Sequence, residues 1–196
     1  SATGFGRLGS MIEYKNQNCH PDIVSFGKML TGGYLTFAAT LTTRNVSNLF
    51  LGSFSEKKHL FHGHTYTGNP IAASLANENL RLYEKTKLIQ KIQKTSKIFK
   101  KRISEFYDLK LVGDVRHRGM LVGIELVENR NRKSPLKTKK SINKIVFDEG
   151  RKHHIFFRTL GNIIMLVPPL AISAKELNFL IDGTINTIKG ITNSLK

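Results

Sequence analysis

The pattern of apolar and polar positions gives the two parts of the chain different textures. Up to about residue 84, short apolar runs are separated by glycine-rich loops. Residues 22–26 contain Ile23 and Val24 and predict a short buried strand; residues 35–43, β-branched with apolar alternation, predict a second. Residues 45–50 predict a short helix, and a polar loop follows around 52–58. Asn69-Pro70 predicts a helix start, because asparagine is a favoured N-cap and proline suits the first helical position. Ile71, Ala72, Leu75, Leu80 and Leu82 carry that helix to about Tyr83, and Ala72, Ala73, Ser74 and Ala76 imply close packing near its start.

Beyond residue 84 the helical period dominates. Leu88, Ile92, Phe99, Ile103 and Phe106 share one face of a helix predicted over 86–106, with Lys91, Lys94, Lys97, Lys100 and Lys101 mostly elsewhere. Strands are predicted at 109–112 and 119–126. Residues 129–140 are basic, contain Pro135 and lack a period, which predicts an exposed loop. A helix is predicted over 141–152, then strands at 155–158 and 163–167, the latter ended by Pro168-Pro169. Ser173-Ala174-Lys175-Glu176 spells a capping box for a last helix with Leu177, Leu180, Ile181, Ile185 and Ile188 along one stripe.

These elements define an α/β chain of two domains, 1–84 and 85–196. The first has too few strands to bury its own faces. Together with a start at Ser1, this leads to the expectation that sequence is missing before Ser1, and that residues 1–196 alone are poorly folded and inactive. Hydrophobic content of 40% supports a packed core. No apolar run reaches the roughly 20 residues needed to span a bilayer, so no membrane partner is expected. No secretory pattern opens the chain, and the single Cys19 excludes an internal disulfide framework and fits a cytoplasmic protein. The formal net charge of +17 raises a nucleic-acid partner. The lysines spread over amphipathic helices without interleaved aromatics, so a solvated lysine-rich surface is the preferred reading.

Gly4-Phe5-Gly6-Arg7-Leu8-Gly9 spells GxGxxG, yet no strand precedes it in this chain and no sustained helix follows, so a loop is expected. Lys28, in Ser25-Phe26-Gly27-Lys28-Met29-Leu30-Thr31-Gly32-Gly33, has two readings. It is either a surface lysine in a glycine-rich turn, or a lysine drawn inside the fold by its apolar flanks. A desolvated amine loses its proton readily and condenses with carbonyl groups, as a pyridoxal phosphate lysine must. Thr65 lies in a Gly/His/Thr/Tyr-rich loop ahead of a helix start, where hydroxyls, backbone N–H groups and the helix dipole suit a phosphate; Thr65 and Thr67 also suit a plain turn cap. His62 and His64 at i, i+2 suggest a metal, but a zinc site needs three or four ligands, so none is assigned. Arg158 offers a planar fork to a carboxylate, or is an ordinary strand-end arginine.

Four motifs, in order and spacing, resemble the class III aminotransferases of pyridoxal-phosphate-dependent transferase fold type I. They are Ala2-Thr3-Gly4-Phe5-Gly6-Arg7, Pro21-Asp22-Ile23, the run Gly27 to Leu35 around Lys28, and His62-Gly63-His64-Thr65-Tyr66-Thr67-Gly68-Asn69-Pro70. Val115-Arg116 with Arg118 to Leu126 is similar to the start of that family's small domain. The resemblance implies that residues 1–84 are the C-terminal part of a large cofactor-binding domain and 85–196 a small α+β domain. It implies that Lys28 holds pyridoxal 5'-phosphate and shuttles the proton. Thr65, with His64 beside it, would bind the cofactor phosphate of the other subunit, so a homodimer with its active site at the subunit interface is implied. Arg158 would pair with a substrate carboxylate, and Gly63 would line the same pocket. The family's Asp-Glu pair, whose Asp partners the pyridine nitrogen, falls before Ala2, as do its phosphate-binding glycine turn and the aromatic that stacks on the ring. Thr159 stands where proline is common, and His154 where a glycine often ends the preceding helix.

Overall fold

A computed structural model describes residues 1–195. The chain forms two compact units: Ser1–Phe5 with Ser10–Leu88, and Gly6–Gly9 with the chain from Ile89 onward.

In the first unit, α1 (Glu13–Asn16), β1 (Ile23–Phe26), β2 (Ala39–Thr42) and α2 (Arg44–Asn48) are all short. β1 and β2 pair antiparallel as an isolated two-stranded ribbon with Ser25 opposite Thr40. The alternation that suggested a strand over 35–43 therefore survives only where β1 supplies a partner. One-turn 3₁₀ helices occupy Lys28–Leu30 and Phe54–Glu56, the latter inside the expected polar loop. The long element is α3 (Pro70–Lys85), which starts as expected: Asn69 Oδ1 accepts from the backbone N–H groups of Ile71 and Ala72, at 3.0 and 3.1 Å. Its buried residues, Ala72, Ala76 and Tyr83, share one stripe.

The second unit packs helices on an antiparallel sheet. α4 (Leu88–Arg102) buries Ile92 and Phe99 and exposes its lysines. The single helix expected over 86–106 is instead broken at Ile103, where Phe106 N–H donates to Ile103 O across a tighter turn and α5 (Ser104–Tyr107) begins. The break turns Phe106 fully inward and lets the Tyr107 hydroxyl accept from Val115 N–H at 3.1 Å.

The hairpin of β3 (Val112–Arg118) and β4 (Leu121–Asn129) turns through Gly119-Met120, with positive φ at the glycine as a two-residue II′ turn requires. A Cβ at Gly119 would overlap the backbone of Leu8 and Gly9. A bulge between Val112 and Asp114 puts Val112 and Val115, three apart, both inside. The strand expected at 109–112 is not found there: residues 109–111 form turns, and β3 begins only at Val112, its alternation masked by the bulge.

Residues 129–140 are not wholly exposed loop: β5 (Ser134–Pro135) pairs with the end of β4, and Leu136 is buried. α6 (Ile142–Lys152) is capped by Ser141. The next strand, β6 (Arg158–Leu160), starts at Arg158 and not at Ile155, because its pairing with β7 (Ile163–Leu166) begins only at Arg158 opposite Met165. β7 also pairs with β4, giving the order β3-β4-β7-β6. The last helix, α7 (Ala174–Ser194), has the expected Ser173/Glu176 capping box and packs against α6. Its buried stripe also takes in Thr184 and Thr187, whose hydroxyls bond back to Leu180 O and Gly183 O at 2.6 and 2.7 Å. The inward-facing residues of β4 and β7 (Val122, Ile124, Leu126, Ile164, Leu166) are buried, as are Leu177, Ile181 and Ile188 of α7. Burying each such side chain stabilises the fold by about 1.5–3 kcal/mol.

Candidate active site

Lys28 heads the 3₁₀ turn that follows β1. Gly27 is extended and buried, Lys28 has φ 51°, and Leu30 N–H closes the turn on Gly27 O at 3.2 Å. The expectation that apolar flanks draw Lys28 inside is not met: Lys28 is exposed. The flanks bury Leu30 and Thr31, while the pairing of β1 with β2 alone leaves nothing over the lysine among the described residues.

Three interactions hold the segment after Lys28. The buried Thr31 hydroxyl donates to Leu35 O at 2.6 Å, closing the Gly32-Gly33 bend where both glycines have positive φ. The Asn79 side-chain amide of α3 donates to Met29 O at 2.7 Å and to Leu30 O at 3.1 Å. Upstream, the Phe5 ring lies edge-on to Phe26 and to Tyr83, with centroids 5.5 and 6.4 Å away, and Tyr83 Oη donates to Phe5 O at 2.9 Å. The sequence reading passed over Asn79. Its signal was there: 72, 76, 79 and 83 follow helical spacing, and Asn79 is the one carboxamide on that buried stripe.

Thr65 lies in the turn 65–68 just before α3, where Thr67 N–H donates to His64 O at 3.1 Å. Asn69 already takes the side-chain bonds of Ile71 and Ala72 N–H, Ala73 N–H donates to Asn69 O, and Pro70 has no N–H. The first N–H groups of α3 are thus bonded within the chain. The groups left for a phosphate are the Thr65 hydroxyl, which has no hydrogen-bond partner among the described residues, and the N–H groups of the turn itself. His62 and His64 are exposed, their ring centroids 6.0 Å apart. No group of three or more metal-ligating side chains occurs among the described residues. Gly33, Gly63 and Gly68 have open space where a Cβ would stand.

Arg158 belongs to the other unit. It is exposed at the start of β6, between the buried Phe157 and a Thr159 whose hydroxyl bonds Asn143 Oδ1 at 3.3 Å. Among the described residues it pairs with no carboxylate. His154, where a glycine was the expected helix end, takes φ 59° itself.

A lysine amine and a threonine hydroxyl without internal partners, beside glycines that leave open space, fit an anionic carbonyl cofactor such as pyridoxal phosphate.

The fold is that of a transaminase. It is similar, with a TM-score of 0.91 and 45% identity, to the crystal structure of adenosylmethionine-8-amino-7-oxononanoate aminotransferase from Methanocaldococcus jannaschii, over 96% of this chain and 44% of that one. A transaminase solved with L-ala gives the same TM-score at 27% identity, over 98% and 46%. Residues 2–188 match the family described as aminotransferase class-III, and the chain belongs to that family, whose members are pyridoxal-phosphate-dependent.

Among curated relatives, the adenosylmethionine-8-amino-7-oxononanoate aminotransferase of Aquifex aeolicus is 45% identical over 92% of this chain and 40% of its own length. Gamma aminobutyrate transaminase 3 of Solanum lycopersicum is 32% identical over 98% and 37%. The chain spans about two fifths of the length of the curated relatives it matches. No helix among the described residues is long and apolar enough to cross a membrane.

Proposed function

We propose that this chain acts in a pyridoxal-phosphate-dependent aminotransferase that moves an amino group from adenosylmethionine, or from lysine, to 8-amino-7-oxononanoate. The product is 7,8-diaminononanoate, in biotin biosynthesis. The observation that carries the reading is 41–45% identity, over 92–97% of the chain, to relatives bearing that enzyme's name. The gamma aminobutyrate relative stands at 32%.

The cofactor supplies the electron sink for the reaction. Lys28 would hold it through its amine and would take up and return the proton at the substrate's amine-bearing carbon. Thr65, with His64 beside it, binds the phosphate held in the other subunit of a homodimer. Gly63 leaves room for the acceptor beside that loop, and Arg158 receives its carboxylate. The enzyme works on small molecules in the cytoplasm.

Borohydride trapping in the presence of pyridoxal phosphate, followed by peptide mapping of the full protein, tests the reading. A reduced pyridoxyl adduct on Lys28 that disappears in Lys28→Ala is expected. Its absence from the unsubstituted full protein would sink the assignment. Turnover of 4-aminobutyrate without turnover of the oxononanoate would instead move the enzyme to the other branch of the family.

A further inference from the structure

We propose that Asn79 is the positioning residue for the reactive lysine: its side-chain amide ties α3 to the two carbonyls that follow Lys28, and so fixes where the amine is presented. This rests on the reading of Lys28 as the cofactor lysine. One amide group serves two successive acceptors, Met29 O at 2.7 Å and Leu30 O at 3.1 Å. These carbonyls belong to the same turn as Lys28. Anchoring both sets the turn's rotation as well as its distance from the helix.

Three further features match that role. A ribbon of two strands is a weak support for a reactive group, and the lysine itself is exposed, so the turn needs an anchor on a longer element. Ala72 and Ala76 keep the same face of α3 small. Gly32, with φ 62°, places its backbone so that a Cβ would stand 3.3 Å from Asn79 Oδ1, closer than ordinary contact. A Cβ at position 32 would thus crowd the carboxamide on one side, while two carbonyls use its donors on the other. Positioning of this kind matters because small displacements of a reacting group forfeit much of the advantage of a prearranged site.

The test uses the full protein with pyridoxal phosphate and three variants. Asn79→Ala removes the donors and Asn79→Asp keeps the volume while facing two carbonyl oxygens with a carboxylate. Asn79→Gln retains a carboxamide. Amide hydrogen exchange over 27–35 and the rate of borohydride-trapped adduct formation on Lys28 are measured together. The β4 amides serve as an internal check that the second unit is folded.

The expected result is about tenfold faster exchange in 27–35, and about tenfold slower adduct formation, in both Asn79→Ala and Asn79→Asp. Asn79→Gln should recover part of each, and β4 exchange should not change. If Asn79→Asp behaves like the unsubstituted protein, or if neither quantity moves in Asn79→Ala, the proposal is overturned while the lysine assignment stands. If the unsubstituted protein forms no adduct on Lys28, both fall together.

Discussion

At the head of the 3₁₀ turn it is Lys28, not a glycine, that takes a left-handed backbone, with φ 51°. A non-glycine residue there costs on the order of 1 kcal/mol, offset by bonds on either side of the turn. The sequence made Lys28 visible through its glycine neighbours and family spacing. It could not show the lysine's exposure, because burial depends on what covers β1 and not on which residues flank the lysine. Asn79 escaped notice for the opposite reason: its partners lie 49 and 50 positions away. Arg158 was legible as a cation next to the apolar run of Ile155, Phe156 and Phe157. Its outward direction follows from alternation, since Ile155 and Phe157 are the buried members of that segment. A planar fork binding a carboxylate should be irreplaceable by a point charge. Arg158→Ala in the full protein is therefore expected to raise KM for the oxononanoate about 10- to 100-fold with a smaller effect on kcat, as for loss of a hydrogen bond to a charged group. Arg158→Lys should recover little. An unchanged KM would remove Arg158 from the acceptor site.

Among elements, helix starts were legible and strand limits were not. Asn69, Ser141 and Ser173 each accept from backbone N–H groups two or three residues on, so the signal and its cause lie within one turn. Strand limits depend on partners far along the chain: β6 waits for Met165, and β3 carries a bulge whose Gly113 leaves room for Val127. The end of α6 joins the two cases. Ile155 N–H donates to Gly150 O at 3.0 Å and His154 N–H to Arg151 O at 3.1 Å, the paired bonds of a Schellman closure. That closure places a left-handed residue at position 154, and here it is a histidine with φ 59°. His154→Gly removes the Cβ conflict while keeping both bonds. It should stabilise the second unit by about 0.5–1 kcal/mol, read as a higher denaturant midpoint with unchanged slope. A lower midpoint would mean that the imidazole contributes more than its backbone strain costs.

The two units differ in how well they use their apolar residues. The largest fully buried side chains, from Ile92 and Phe99 to Ile188 and Ile191, all fall in the second unit. The first unit instead exposes Tyr34, Leu49, Leu51, Phe54, Phe61, Tyr66 and Ile71, with Phe54 at 87%. Among the described residues its only sheet is the β1–β2 ribbon, and two strands alone are marginal in water. This contrast follows the sequence-level expectation that residues 1–84 cannot bury their own faces. Charge acts against association here: 31 Lys and Arg against 14 Asp and Glu leave +17, and such self-repulsion keeps chains apart until salt screens it. The 196-residue chain produced by itself should therefore show strong amide-exchange protection in β4 and α7 and almost none in β1 and β2. It should bind a hydrophobic dye, and it should self-associate more as salt rises from about 0.01 to 0.5 M, because screening removes repulsion while leaving the apolar surface in place. Equal protection in both units, or association that falls with salt, would show that the first unit holds its ribbon by contacts stronger than those described and that charge, not apolar surface, brings the chains together.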